Sequence, residues 1–187
     1  MRSLAEAEIR SSFVNCTKGE TVRLSLPRDL GDRPWADLDF LAWPDISAPD
    51  RAYLVTESVP TEPTEPTEPT EQAAPSSATT PDGQLVGVAL RLAAQKRGLL
   101  HRSMCSLCLT THPGNGVSLM TARKAGVAGR QGNSVGVYIC TDLACSLYVR
   151  GLKKPHTGGR LDETLSVDEQ VDRLRGKLDG FLAKVLT

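Results

Sequence analysis

Apolar positions along this chain follow two different periods, and each period predicts an element. Near the carboxyl end Val167, Val171, Leu174, Leu178, Phe181, Leu182 and Val185 recur at steps of three and four, the spacing of one face of an α-helix. Ser166 and Glu169 stand just before that stripe as a capping box, so an amphipathic helix over 161–187 is expected to dock on the body of the protein. A narrower stripe of Leu4, Ala7, Ile9 and Phe13 predicts a second helix over 3–15. Thr17 and Glu20 again have capping-box spacing, but Thr21 to Leu26 alternates, so a helical turn leading into an extended piece is an equal reading. Strand-like runs enriched in Val, Leu and Tyr occupy 51–59, 84–92, 117–120 and 134–139. Trp35, Leu38, Phe40, Leu41 and Trp43 are assigned to the core, because aromatic residues bury large areas and make up only 4% of the chain.

Between the first two strand-like runs the chain reads Pro-Thr-Glu four times and then passes through a Ser/Thr/Ala/Pro tract. Proline at every third position removes backbone donors, and the glutamates repel one another, so 61–84 is expected to be a disordered, solvated loop. If the flanking runs pair, the repeat is an overgrown hairpin loop; the alternative is an interdomain linker. The organisation expected is an α+β domain whose amino-terminal part is 1–60, interrupted by 61–84, continued by 85–160 and closed by the helix of 161–187.

The 187 residues suit one domain with a modest core of Leu, Val and Ala, at 40% hydrophobic and 24% charged. Neither a membrane-spanning run nor an export signal is apparent, so a soluble, cytoplasmic protein is expected. The formal net charge of zero conceals segregation. Residues 1–85 carry 7 basic and 15 acidic side chains, 86–160 carry 11 and 1, and 161–187 carry 4 and 6. The middle block predicts a positive face whose partners are anionic: nucleic acid, an acidic protein, or the acidic amino-terminal half of this same chain.

Five cysteines add chemistry. Cys105 and Cys108 form one local pair and Cys140 and Cys145 another, while Cys16 stands alone and reads as a small buried hydrophobe. Two pairs from separate elements are the arrangement that places four thiolates around Zn²⁺. His112, four residues after Cys108, leaves a second ligand set open in which Cys108 and His112 form the first half. A redox dithiol does not account for the second pair, disulfides lack an oxidising compartment, and an iron–sulfur cluster is rarer in such a context. Catalytic zinc needs a nearby base, yet no Glu lies between Arg91 and Arg160, so a closed structural site and a non-enzymatic protein are expected. Between the pairs the pattern is turn, strand, glycine-rich basic loop and strand, with a helix expected over 143–151; knuckle, hairpin and helix in that order make a treble-clef zinc finger.

Met104-Cys-Ser-Leu-Cys-Leu-Thr-Thr-His112 and Gly132-Asn-Ser-Val-Gly-Val-Tyr-Ile-Cys-Thr-Asp-Leu-Ala-Cys-Ser-Leu-Tyr-Val-Arg-Gly151 resemble the FBP family of treble-clef zinc fingers, which includes the FusB-type proteins. Actinobacterial members come closest, and the resemblance extends more weakly over Ile9 to Glu20 and the Trp35 segment. The resemblance implies an α+β treble-clef fold with an antiparallel sheet and helices at both ends, with Zn²⁺ held by Cys105, Cys108, Cys140 and Cys145. FusB-type proteins also carry a separate amino-terminal helical domain that this chain lacks the length to contain in full. They bind elongation factor G, promote its release from the ribosome and so protect translation from fusidic acid. The implied role is an elongation factor G-binding accessory protein, with no membrane and no small-molecule substrate. Arg123, Lys124, Arg130, Tyr148, Arg150, Lys153 and Lys154 are its candidate contacts. The alternative is an RNA-binding zinc module on ribosomal RNA, using the basic block for phosphates and Tyr138 and Tyr148 for stacking.

Overall fold

The protein is described by a computed structural model covering residues 1–58, 84–93, 101–155, 159 and 161–187. The strand-like runs on either side of the repeat do pair. Strands β1 (Leu41–Pro44), β2 (Arg51–Ser58) and β3 (Gln84–Leu92) form an antiparallel meander, with Ser58 opposite Gln84 where the chain enters and leaves the repeat. The repeat itself, 61–84, lies outside the described residues apart from Gln84. Two short strands follow, β4 (Arg102–Met104) and β5 (Thr111–Pro113), paired with each other; then come β6 (Val117–Arg123) and β7 (Ser134–Cys140). The main sheet has the order β1-β2-β3-β6-β7 and every pairing in it is antiparallel.

Alternation along these strands gives the sheet two apolar faces. On one face Leu41, Trp43, Tyr53 and Val55 meet Leu4, Ile9, Phe13 and Leu24 of the amino-terminal segment. Phe13 sets its ring edge-on to Tyr53 at 5.9 Å and to Trp43 at 6.5 Å, and the Trp43 indole donates to the Ser25 carbonyl at 2.8 Å. On the other face Ala52, Leu54, Val86, Val88, Leu90, Met120 and Ala122 share a core with the four paired cysteines and with helix α5 (Val167–Leu186). The capping box of α5 is formed by Ser166 and Glu169, and its predicted stripe is buried except for Val167, which is 45% exposed.

The amino-terminal helix is shorter than its apolar spacing predicts. Helix α1 spans Glu6–Ser11, and Ala7 is exposed. The next residues leave the helix because their backbone is used by the sheet: the Gly87 amide donates to Ser12 at 2.8 Å, and the Val14 amide donates to Gly87 at 2.9 Å. Only glycine permits this approach, since a Cβ at position 87 would stand 2.4 Å from the Ser12 hydroxyl. The Thr17–Glu20 box opens a true helix, α2 (Lys18–Val22), and Arg23 to Arg28 forms no strand.

The glycine-rich segment after β6 is also not an open loop. It contains a helical turn, α3 (Gly126–Arg130), where Gly129 lies so close beneath the Lys124 carbonyl that a Cβ would be 1.7 Å from its oxygen. The Ala125 amide donates to the Val185 carbonyl at 2.7 Å, tying this turn to the end of α5.

Asp39 joins the two halves of the chain. Its carboxylate is fully buried and accepts two bonds from the Arg150 guanidinium, at 2.6 and 3.0 Å, and a third from Arg175 Nε at 3.0 Å. Its backbone amide donates to the Ser146 hydroxyl at 3.0 Å, and its carbonyl accepts from Thr56 Oγ1 at 3.2 Å. Removing one partner of a buried pair strands the remaining charge, at about 3–5 kcal/mol. Asp39→Ala is therefore expected to lower stability by about 3 kcal/mol, the lower end of that range because the Arg175 side chain is 53% exposed. Denaturant unfolding at neutral pH measures the loss, and Arg175→Ala should lose much less.

Candidate metal centre

The two cysteine pairs are brought together by three local structures. Cys105 and Cys108 sit in the turn between β4 and β5, a hairpin of three-residue strands whose shortness hides it from any periodicity argument. Within that turn the Cys105 amide donates to Thr110 at 2.9 Å and the Leu109 amide donates to Cys105 at 3.1 Å. Cys140 ends β7, and Cys145 is the first residue of helix α4 (Cys145–Val149). The order knuckle, β6–β7 hairpin and helix α4 is that of a treble clef. Leu109 and Leu143, one in each metal-binding loop, hold left-handed backbone at φ 56° and 58°. That geometry costs a non-glycine residue about 1–2 kcal/mol and persists because the surrounding contacts fix it.

All four thiols are buried, and their sulfurs lie within 4.8 Å of one another. Cys105 and Cys145 are 3.6 Å apart and Cys108 and Cys140 are 3.5 Å apart, too far for a disulfide. A Zn–S bond of about 2.3 Å makes the edge of a ZnS₄ tetrahedron about 3.8 Å, so the donor set and its spacing fit Zn²⁺. Four closely packed sulfurs cannot all carry charge without a cation. Hydrogen bonding, first from Cys105, holds the Cys108 thiol far below its ordinary value, while bonds from Cys105 and Cys108 push Cys140 and Cys145 far up. A divalent cation removes that competition and lets all four ligate as thiolates.

Of the two ligand sets left open by the sequence, the structure gathers the one that contains Cys105. His112, on β5, is buried and outside the four-sulfur cluster, with Nε2 at 3.4 Å from Cys140 Sγ. With Cys140 ionised, Nε2–H donates to the sulfur, which makes His112 a support for a ligand. The Leu107 amide donates to Cys105 Sγ at 3.4 Å, and Thr110 Oγ1 lies 3.3 Å from Cys108 Sγ. Tyr148 packs edge-on to the His112 ring at 4.9 Å.

The proposed contact residues do not form one surface. Tyr148 is only 4% exposed; its hydroxyl donates to Asp142 at 2.7 Å, so it packs beside the centre and offers no stacking face. Cys145 must face inward, and helical spacing carries Tyr148 and Val149 inward with it, a signal already present in the sequence. Ser146 and Arg150, four apart on another face of α4, are both committed to Asp39. Lys153 pairs with Asp142 at 2.8 Å, above the Tyr148 ring. Burial opposes ionisation of Asp142, but the bonds from Lys153 and Tyr148 outweigh it and hold the carboxyl below its usual range. Lys154 is exposed nearby. Arg123, Lys124 and Arg130 lie at the other end of the β6–β7 hairpin, about 20 Å away by the strand rise. Tyr138 is 40% exposed on β7. Missed by the sequence reading were Asp39, which holds α4 in place, and Thr110.

The sequence model of the FBP C-terminal treble-clef zinc-finger family matches residues 8–65 and 67–185. The chain belongs to this family. Among solved structures it is similar to the fusidic acid resistance protein FusC, with a TM-score of 0.52 at 14% identity. That alignment covers 99% of this chain and 59% of FusC, so the chain spans little more than half of that protein. No curated protein sequence matches. The family and the four buried, clustered cysteines agree on a zinc-finger site positioned to hold Zn²⁺, and no helix among the described residues is long and apolar enough to cross a membrane.

Replacing a ligand and replacing its support are expected to differ. Cys105→Ser and Cys140→Ser should lose stoichiometric zinc and native structure. His112→Ala should still bind one zinc per chain, with affinity lowered about 10- to 100-fold. Competition with a chromophoric chelator measures both; a metal-free His112→Ala beside a zinc-loaded Cys105→Ser would reverse the ligand assignment.

Proposed function

We propose that this protein is a non-enzymatic zinc accessory factor that binds elongation factor G and modulates its release from the ribosome, a fusidic-acid-resistance type of role. The observation that carries the reading is the match to the FBP zinc-finger family over nearly the whole chain. The fold shared with the fusidic acid resistance protein FusC supports it. A closed four-cysteine site suits a scaffold rather than a catalyst, because no coordination position is left for substrate. In this reading zinc fixes the knuckle and the base of the β6–β7 hairpin, and the contact surface is presented on that rigid frame.

The contacts favoured by exposure are Lys154 beside the metal module and Arg130 at the hairpin tip, with Lys153 balanced against Asp142. Arg150 and Tyr148 act indirectly, by positioning α4. Such a surface steers encounter with an acidic partner and loses rate as salt rises. The protein would act in the cytoplasm, where its partner works.

Retention of purified elongation factor G on immobilised, zinc-loaded protein at low salt tests the reading. Binding is expected with the loaded protein, is expected to fall at least tenfold after zinc removal, and should weaken several-fold in Arg130→Glu and Lys154→Glu. Ribosome release assays with fusidic acid then report the functional step. No retention of elongation factor G by folded, zinc-loaded protein would overturn the proposal.

A further inference from the structure

Away from the zinc centre, arginines from four elements surround a cavity of about 400 Å³. Arg23 caps the end of α2, Arg51 opens β2, Arg91 lies near the end of β3, and Arg123 ends β6. Strand register places Arg51 directly opposite Arg91, and Arg91 directly opposite Thr121. These three side chains therefore share one face of the sheet, and Arg123, two residues beyond Thr121, shares it too. Beside this row the β3–β6 ladder ends, and Asn15 bridges the gap: its amide donates to the Ala89 and Arg123 carbonyls at 3.0 Å each and accepts from the Ala89 amide at 2.8 Å.

Like charges placed directly across a strand pair destabilise a sheet, and Glu20 and Asp45, both in electrostatic contact with Arg51, offset only part of this repulsion. None of the four guanidiniums makes an ion pair or hydrogen bond among the described residues. Two carboxylates, Glu20 and Asp45, also line the cavity, and each accepts hydrogen bonds from neighbouring groups while keeping its negative charge. Glu20 accepts from the Thr17 amide and hydroxyl, both at 2.8 Å, and Asp45 accepts from the Tyr53 hydroxyl at 2.6 Å and the Ser47 amide at 2.8 Å. Four guanidiniums against two carboxylates leave a surplus of about two positive charges. Cys16, also in the lining, adds no negative charge, because burial pushes its thiol up to about 11.

We propose that this cavity binds a phosphorylated ligand that presents two adjacent phosphates, with Arg51 and Arg91 as paired forks and Arg23 and Arg123 at its flanks. Arginine's planar fork matches phosphate oxygens two at a time, and the surplus charge suits more than a single carboxylate. The volume lies in the range of small-ligand pockets, about 300–1,000 Å³. Thr121 and Ser134 add hydroxyls to the same lining. The two phosphates belong either to a small polyphosphate or to consecutive nucleotides of an RNA strand; both present anionic phosphate oxygens to the forks. This inference does not rest on the proposed partner.

Titration calorimetry of the zinc-loaded chain at low salt, with inorganic pyrophosphate and separately with a short single-stranded oligouridylate, tests it. Wild type is expected to bind at least one probe, and the tighter of the two identifies the source. Arg51→Ala and Arg91→Ala should each weaken that binding at least tenfold, while Arg91→Lys retains part of it. The same variants should keep their zinc and unfold at or above the wild-type midpoint, since an opposed like-charge pair has been relieved. Absence of binding by both probes, or affinity unchanged in the folded alanine variants, would overturn the assignment.

Discussion

Four sulfur atoms that must share one small volume set the constraint on which this structure depends. They come from a hairpin turn, a strand end and a helix start, and of these elements the hairpin and the helix are too short to hold themselves in place. Around them close Leu107, Val117, Ile139, Leu143 and Val149, and over that layer lies the apolar face of α5. Structural zinc in small fingers contributes about 10–16 kcal/mol of apparent binding energy, more than the net stability of many domains. A core in which the ligands are themselves central members therefore owes its shape to the metal as much as to burial. The left-handed backbone at Leu109 and Leu143 is tolerated for the same reason.

Charge segregation along the sequence is partly consumed inside the fold. The acidic amino-terminal half delivers Asp39 to the basic middle, where Arg150 and Arg175 receive it, and Lys153 is balanced by Asp142. What remains positive is divided: one group lies beside the metal module, another at the far end of the β6–β7 hairpin, and a third is the arginine row over β2, β3 and β6. The broad positive face expected from composition is thus several local ones.

Much of this was legible in the sequence where one local rule decided the outcome. The capping box at Ser166, the α5 stripe, the two local cysteine pairs and the strands on either side of the repeat all follow from spacing or propensity, whereas at Thr17 the capping box and the alternation beyond it left helix and extended chain equal. Other features depend on contacts far apart in sequence. The Arg51–Arg91 opposition needs the exact strand register, and a long connecting loop does not fix it. The shortening of α1 follows from backbone bonds to Gly87, over seventy residues away, which no apolar period records. Asp39 meets partners 111 and 136 residues distant, and nothing around it in the chain distinguishes it from a solvated acid. His112 was visible as a candidate, but only the fold separates a ligand from a group that supports one.

Zinc-edge X-ray absorption on the purified chain tests the central claim most directly. The account predicts one zinc per chain with a shell of four sulfurs at about 2.3 Å and no nitrogen. A shell of three sulfurs and one imidazole nitrogen, or a folded chain that carries no metal, would contradict it.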